Sequence, residues 1–289
     1  MVKIKKTAIF MAVILCLCCN LLTSCSDKYS FEEVRQEFSQ YEADLNVGAV
    51  LDSKNFYFYD RSIKLEEIIP EGGDVTNSQL IGDNIYFPAK KSGWWSFSAD
   101  LLIYKYNLTE NNVVCLFKKE NLKTPLKRLF NGETLYFQYK IKGSSDKIID
   151  SYNVITEEYK NIARGKDCDI SNYEEVVEEK YSYTLNDKNN EFSIKEIETS
   201  EIFVGDEEYL KQTPYYDSLN KYSYKLDYIR ETKGRIYLIY RLFIEGSFSI
   251  NINYTFVIFE FDFINKTLLY KSIIQMPDVE MYTIINIGE

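Results

Sequence analysis

Histidine, the most versatile side chain for acid–base and metal chemistry, is absent from all 289 residues. Its absence removes serine–histidine–aspartate and cysteine–histidine catalysis, the usual zinc sites and the commonest general base. Carboxylates, thiols and aromatic rings remain. The densest acidic region holds Asp167, Asp169, Glu174-Glu175 and Glu178-Glu179. Paired carboxylates serve glycoside hydrolysis, and oxygen clusters serve calcium. The spacing here fits no calcium loop, however, and runs of acids are ordinarily solvated faces. No phosphate-binding loop, dinucleotide fingerprint, metal-ligand cluster or nucleophile elbow is present, so no cofactor is expected.

The aromatic residues are better candidates for contact than for catalysis. Trp94 and Trp95 are the only tryptophans and stand beside Gly93 between two strand-like runs. Adjacent rings on a loop suit stacking on sugars or anchoring a protein interface, or else they pack beneath a neighbouring sheet. A second tyrosine-rich stretch, Gly205 to Lys233, contains Tyr209, Tyr215, Tyr216, Tyr222, Tyr224 and Tyr228. Tyrosine offers wide amphipathic contact at small entropic cost. Trp94, Trp95, Tyr215 and Tyr216 are therefore the expected contact residues, with strand aromatics of a degenerate sheet as the alternative for the tyrosines.

Four of the six cysteines, Cys16, Cys18, Cys19 and Cys25, fall in the first 25 residues. Met1 to Lys6 is basic, and Thr7 to Leu22 is apolar apart from Asn20. Such a stretch is short for a membrane span and is the pattern of a secretory signal peptide. Ending Leu22-Thr23-Ser24-Cys25, it resembles a bacterial lipoprotein signal. The resemblance implies cleavage before Cys25 and a diacylglyceryl thioether on that residue, which anchors the chain to a membrane on its extracytoplasmic face. In a two-membrane organism the outer membrane is the alternative address. Two or more acyl chains hold a protein at a bilayer durably, where one does not. Cys115 and Cys168 remain in the body, either as a disulfide or as two separate thiols.

The net charge of −10 argues against nucleic acid as a partner and against a basic patch for anionic lipid. A capping-box pattern at Ser30 and Glu33 precedes Phe31, Val34, Phe38, Tyr41 and Leu45, which recur three or four apart. This predicts one amphipathic helix from Phe31 to Leu45, ended near Gly48.

The rest of the chain repeats itself. An aromatic-x-aromatic-Asx core occurs at Tyr57 to Asp60, Tyr104 to Asn107, Tyr152-Asn153 and Phe259 to Asp262, with a degenerate copy at Ile194 to Glu196. The first copies recur about every 45 residues, the length of a four-stranded propeller blade. Alternate side chains of a strand share a face, so the two aromatics pack in one layer and the Asx opens a hairpin turn. Upstream partner strands are Ile85-Tyr86-Phe87, Leu135-Tyr136-Phe137, Tyr181-Ser182-Tyr183 and Ile236-Tyr237-Leu238, and Gly82, Gly132 and Gly234 precede three of them.

This pattern resembles bacterial propeller-like repeats of the low-density lipoprotein receptor and TolB-like type. The resemblance implies an all-β fold, a ring of about five four-stranded blades with six as the alternative, and no catalytic residues. A β-sandwich fits the same spacing. The expected division is a signal peptide over 1–24, a lipidated tether over 25–30, the helix over 31–48 and the propeller-like domain over 49–289. Met281 to Ile287 reads as a strand that closes against the first sheet. The expected function is a non-catalytic binding or scaffold module at the membrane with a protein or glycan partner. The alternatives are a glycan-acting hydrolase using two carboxylates and a lipoprotein that sequesters a toxic peptide.

Overall fold

A computed structural model describes residues 29–42, 46–70, 72–92, 97–140, 143–174, 179–186, 189–243, 253–277 and 282–286. Strands hold 59% of these residues and helices 12%, so the chain is mostly β. Numbering elements in chain order, β1 (Val47–Leu51), β2 (Asn55–Tyr57) and β3 (Ser62–Lys64) form a meander completed by β19 (Tyr282–Asn286). Strand β19 pairs antiparallel with β1 from Val47↔Asn286 to Leu51↔Tyr282. The tail thus closes against the first sheet as the sequence predicts.

After a short helix, α2 (Leu65–Ile68), an eight-stranded sheet follows, made of β4 (Asp74–Val75), β5 (Gln79–Ile81), β6 (Asn84–Ser92), β7 (Ser98–Asn107), β8 (Asn112–Asn131), β9 (Thr134–Lys140), β10 (Lys147–Asn153) and β11 (Tyr159–Gly165). It is two meanders joined through β8. The first part of that strand pairs with β7 and the last part with β9, with register shifts where it changes partner. Three strands, β12 (Tyr181–Asn186), β13 (Glu191–Glu196) and β14 (Ile202–Gly205), make the fourth meander. The fifth is β15 (Tyr224–Thr232), β16 (Arg235–Leu242), β17 (Asn253–Asp262) and β18 (Thr267–Pro277). No sheet closes on itself.

The repeat is written most clearly in one turn, between the third and fourth strands of a meander. Asn107 Oδ1 accepts from the backbone N–H of Thr109 and Glu110 at 3.0 and 2.7 Å. Asn153 Oδ1 does the same for Ile155 and Thr156, and Asp262 Oδ1 for Ile264 and Asn265. A carboxylate or amide oxygen placed this way supplies the turn with the acceptor that its backbone lacks. Four residues on, Asn111, Glu157 and Lys266 each take positive φ. The degenerate copy keeps the positive φ, at Ser200 (61°), but Glu196 accepts from Thr199 Oγ1 at 2.6 Å rather than from backbone N–H groups. A second shared turn leads from first to second strand, where Gly82 and Gly132 adopt positive φ that side chains disfavour.

These shared turns align the strands. The pairs β7–β8, β10–β11, β13–β14 and β17–β18 are equivalent, which makes β12 a second strand. Among the described residues the fourth meander therefore has no first strand.

Period-two alternation lets a sheet bury both faces. In β16, Tyr237 and Ile239 face Val47, Ala49 and Ile284 of the first sheet, while Leu238 and Tyr240 face Phe192 and Ile194 of the fourth. In the second meander Ile85 and Phe87 pack on Phe56 and Ile63, and Leu101 and Ile103 pack on Leu135 and Phe137. Four neighbouring pairs of meanders thus share a buried apolar layer. Among the described residues none joins the third meander to the fourth. The free face of the third is covered instead by a 3-10 turn, Ile170–Tyr173, where Ile170 N–H donates to Gln138 and Tyr173 stacks on Tyr136 at 4.7 Å.

The N-terminal helix α1 spans Phe31–Phe38, with the capping box at Ser30 and Glu33 in place. It is shorter than the periodicity predicts. Val34 and Phe38 are buried in the layer between the fourth and fifth meanders. Tyr41 lies beyond its C-cap, Ser39, and Gly48 belongs to β1 rather than to a helix end. The apolar spacing continues past the helix because Tyr41 packs on the same core from an irregular segment. Leu45 lies outside the described residues.

Candidate functional site

The concave surface that contains an expected contact residue lies where α1 ends, beside helix α4 (Tyr216–Lys221) and strand β18. Its volume is about 490 Å³, and Gln40, Tyr41, Pro214, Tyr215, Leu269 and Tyr270 are among its walls. That is within the range of pockets that hold small organic ligands. Tyr41 is its central fixture. Its hydroxyl donates to the Pro214 carbonyl at 3.0 Å, lies 2.7 Å from Ser218 Oγ, and its ring meets Tyr215 edge-on at 4.9 Å.

Ser218 Oγ donates to Glu37 at 3.0 Å, and Lys221 pairs with the same carboxylate at 2.5 Å. The groove thus rests on a hydrogen-bonded joint between the two helices. Tyr215 OH accepts from the Tyr270 backbone N–H at 3.3 Å. Burial raises the Tyr270 phenol well above the ordinary tyrosine value, so it stays protonated and neutral. Leu269, 45% exposed, is the apolar residue offered to solvent.

The structure separates the two tyrosines predicted together. Tyr215 is 9% exposed and contributes a wall through its ring, packed on Phe259 at 4.9 Å. Tyr216 is not part of the groove. It opens α4, and its hydroxyl donates to Glu207 at 3.2 Å beside Tyr224. Adjacent positions at a helix start point in different directions, which residue type alone does not reveal. Trp94 and Trp95 lie outside the described residues, as does Cys25. Leu269 and Pro214 gave no signal in the sequence. The stretch from Gly205 to Lys233 is not irregular: it folds as helix α3 (Glu207–Lys211), α4 and β15.

A second cleft of about 250 Å³ opens between the first, second and fifth meanders, with Phe56, Leu80, Tyr237 and Ile284 as floor and Lys233, Thr283 and Asn286 toward the rim. First strands β5, β15 and β19 all reach it. Its lining contains no aspartate or glutamate.

Of the acidic region, Glu175 and Glu178 lie outside the described residues. Asp169 caps the 3-10 turn, accepting from Ser171 N–H and Oγ, and among the described residues no group of three or more His, Cys, Asp or Glu side chains could hold a metal ion. Cys115 and Cys168 are both free thiols, so the disulfide alternative is not realised.

The most polar buried cluster lies elsewhere. Asp150, fully buried, accepts at Oδ2 from Lys119 Nζ (2.6 Å), Tyr139 OH (2.8 Å) and Tyr159 OH (2.7 Å), and at Oδ1 from Asn161 (2.7 Å). Burial pushes its carboxyl up, but these four donors outweigh it and hold the carboxyl below the ordinary aspartate value. Burial beside Asp150 pushes Tyr139 up to about 12, despite the opposing bond from Lys119. Every acceptor site that matters is occupied, so the cluster fastens β8 to β9, β10 and β11 and leaves no group poised for proton transfer.

No helix among the described residues is long and apolar enough to cross a membrane. No protein-family profile matches the chain, and no curated protein matches it. Among solved structures it is similar to the β-propeller domain of the Trilobed protease from Pyrococcus furiosus, at 11% identity and TM-score 0.25, over 71% of this chain and 57% of that one. It is similar to TolB from Acinetobacter baumannii at 8% identity and TM-score 0.28, over 85% of this chain and 67% of that one. The acylaminoacyl peptidase of Pyrococcus horikoshii matches at 8% identity and TM-score 0.23, over 69% of this chain and 32% of that one.

Proposed function

We propose that this chain is an extracytoplasmic lipoprotein, anchored to a membrane through Cys25, whose five meanders form a propeller-like ring acting as a non-catalytic binding module. The ring has one open seam, between the third and fourth meanders. The observation that carries the binding reading is the aromatic groove: a concavity walled by Tyr41, Tyr215 and Tyr270, with Leu269 exposed and with Glu42 and Lys271 as its charged lining residues. Ring edges and one exposed aliphatic side chain suit the face of a sugar or the side chain of a protein partner. A glycan-hydrolysing role needs two facing carboxylates, and among the described residues the lining of the second cleft has no aspartate or glutamate.

The test places a photoreactive amino acid at position 269 of the full chain in its native cell. The expected result is one crosslinked partner in high yield, lost with Tyr41→Ala and displaced from the membrane fraction by Cys25→Ser. Crosslinks scattered over abundant proteins, unchanged by Tyr41→Ala, would remove the groove as the site. A Cys25→Ser chain that still fractionates with membranes would remove the lipid anchor.

A further inference from the structure

An antiparallel meander has two ends. Its first-to-second and third-to-fourth turns leave from one, and its second-to-third connection from the other. Contacts between the meanders keep these ends in step. Lys123, where β8 crosses, pairs with Ser98 at the start of β7 and with Lys140 at the end of β9. The Ser53 carbonyl, between β1 and β2, accepts from Ser78 N–H just before β5. Tyr228 and Tyr282, toward the starts of β15 and β19, meet edge-on at 5.1 Å. Asn190, between β12 and β13, accepts from Leu226 N–H near the start of β15.

The chain enters at the end that carries the second-to-third connections. Tyr29 meets Tyr222 edge-on at 4.9 Å, and the adjacent Ser223 carbonyl accepts from Phe243 N–H at 2.9 Å, where β16 has just ended. Cys25 stands four positions before Tyr29, a reach of at most about 14 Å.

Register assembles a row of cations at the same end. Lys140 lies directly between Lys123 on β8 and Lys147 on β10, so the three side chains share one face of the sheet. Like charges placed directly opposite destabilise a sheet unless an anion answers them. Lys147 donates to the neutral Cys168 carbonyl at 3.0 Å, and Lys123 and Lys140 pair with no carboxylate among the described residues. The neighbouring stretches 93–96 and 141–142 contain no acid, and Asp146 is the acid of the described part of the β9–β10 turn. Beside the row, the Phe97 carbonyl accepts from Thr124 N–H at 3.1 Å. Phe97 is 82% exposed, and Phe243 is 46% exposed. The turns of the opposite end hold Asp83, Glu110, Glu133, Glu157, Glu158 and Glu198.

We infer that the end bearing Phe97 and Phe243 lies on the membrane surface, with the Lys123–Lys140–Lys147 row against anionic phospholipid headgroups. This orientation rests on the lipid anchor at Cys25 for its tether, whereas the cation row and the exposed rings stand without it. Aromatic rings favour the headgroup boundary, and each cation near an anionic surface strengthens binding roughly fivefold. The net charge of −10 does not oppose such docking, because the six acids just named lie at the far end.

The test reconstitutes the full chain in phosphatidylcholine vesicles, with or without phosphatidylglycerol, that also carry nitroxide-labelled lipid. A fluorescent amino acid is placed at position 97, at 243 or, as the far-end control, at 264, where Ile264 is 86% exposed. The expected result is quenching at 97 and 243 but not at 264, increased by phosphatidylglycerol. Lys123→Gln together with Lys140→Gln should abolish that increase with the circular dichroism unchanged, and about 0.5 M salt should do the same. Equal quenching at all three positions, quenching at 264 alone, or no response to phosphatidylglycerol would overturn the docking. The intact mass of the chain from its native membrane decides the anchor separately. A chain without acyl groups that is still quenched at 97 would remove the anchor and keep the docking.

Discussion

Lys119 and Asp150 meet across two meanders: Nζ of the one lies 2.6 Å from Oδ2 of the other, with the carboxylate fully buried and three further donors around it. Removing one member of such a pair leaves an uncompensated buried charge, at a cost of about 3–5 kcal/mol. Asp150→Asn and Lys119→Met should each lower the midpoint of chemical denaturation substantially, and the double variant by less than their sum. Additive losses in a double-mutant cycle would show that the two do not act as a pair. The pH dependence has a definite sign. The folded carboxyl titrates below its unfolded value of about 3.9. Its stabilisation is therefore present above about pH 4 and lost as pH falls further, through the folded value. As pH falls below about 4, the native chain should lose stability faster than Asp150→Asn does.

Tyr240 makes the opposite case. Its ring is wholly buried, and among the described residues its hydroxyl has no hydrogen-bond partner. An unsatisfied buried hydroxyl costs about 1–3 kcal/mol. Tyr240→Phe should leave the melting temperature unchanged or raise it, in thermal denaturation followed by circular dichroism. A clear loss of stability would mean that the hydroxyl is satisfied by a bound water.

Gly205, the last residue of β14, lies against the Phe192 ring so closely that an added Cβ would fall on the ring atoms. Overpacking of this kind typically costs about 1–3 kcal/mol. Gly205→Ala should be destabilising by that order, and Phe192→Leu in the same chain should recover part of the loss. If Gly205→Ala melts like the parent, the approach of β14 to Phe192 is looser than described.

Within the groove, Tyr215→Phe removes only the bond from the Tyr270 N–H, a cost of about 1 kcal/mol. Leu269→Asp should change stability by no more than about 0.5 kcal/mol, because the side chain is half exposed. The two variants separate fold from recognition: partner capture should survive the first and fail in the second.

The elements most legible in the sequence were those built locally. Asn107, Asn153 and Asp262 sit at the turns that their residue type demands, and the degenerate copy at Glu196 keeps only the positive φ four residues on, at Ser200. Tyr104 with Tyr106, and Phe259 with Phe261, share one face as their alternation requires. What depended on tertiary context was illegible. Where β8 changes partner, Asn121 with its positive φ and Pro125 mark a break in the strand, but nothing in them says that the same strand continues into a second meander. Tyr41 continues a helical spacing although the helix has ended, because burial on one core can be satisfied without helical backbone. The groove joins Tyr41 to Leu269 across more than two hundred positions, and such proximity leaves no local trace.

The pairing of β1 with β19 gives the chain a clasp whose two halves are made some 230 residues apart. The first meander cannot be completed until β19 follows, so Val47 and Ala49 wait with an open edge while the intervening strands are added. Contacts so distant in sequence slow folding and prolong exposure of pairing edges. The same clasp resists fraying, since neither β1 nor β19 can peel away without breaking the ladder that holds the other.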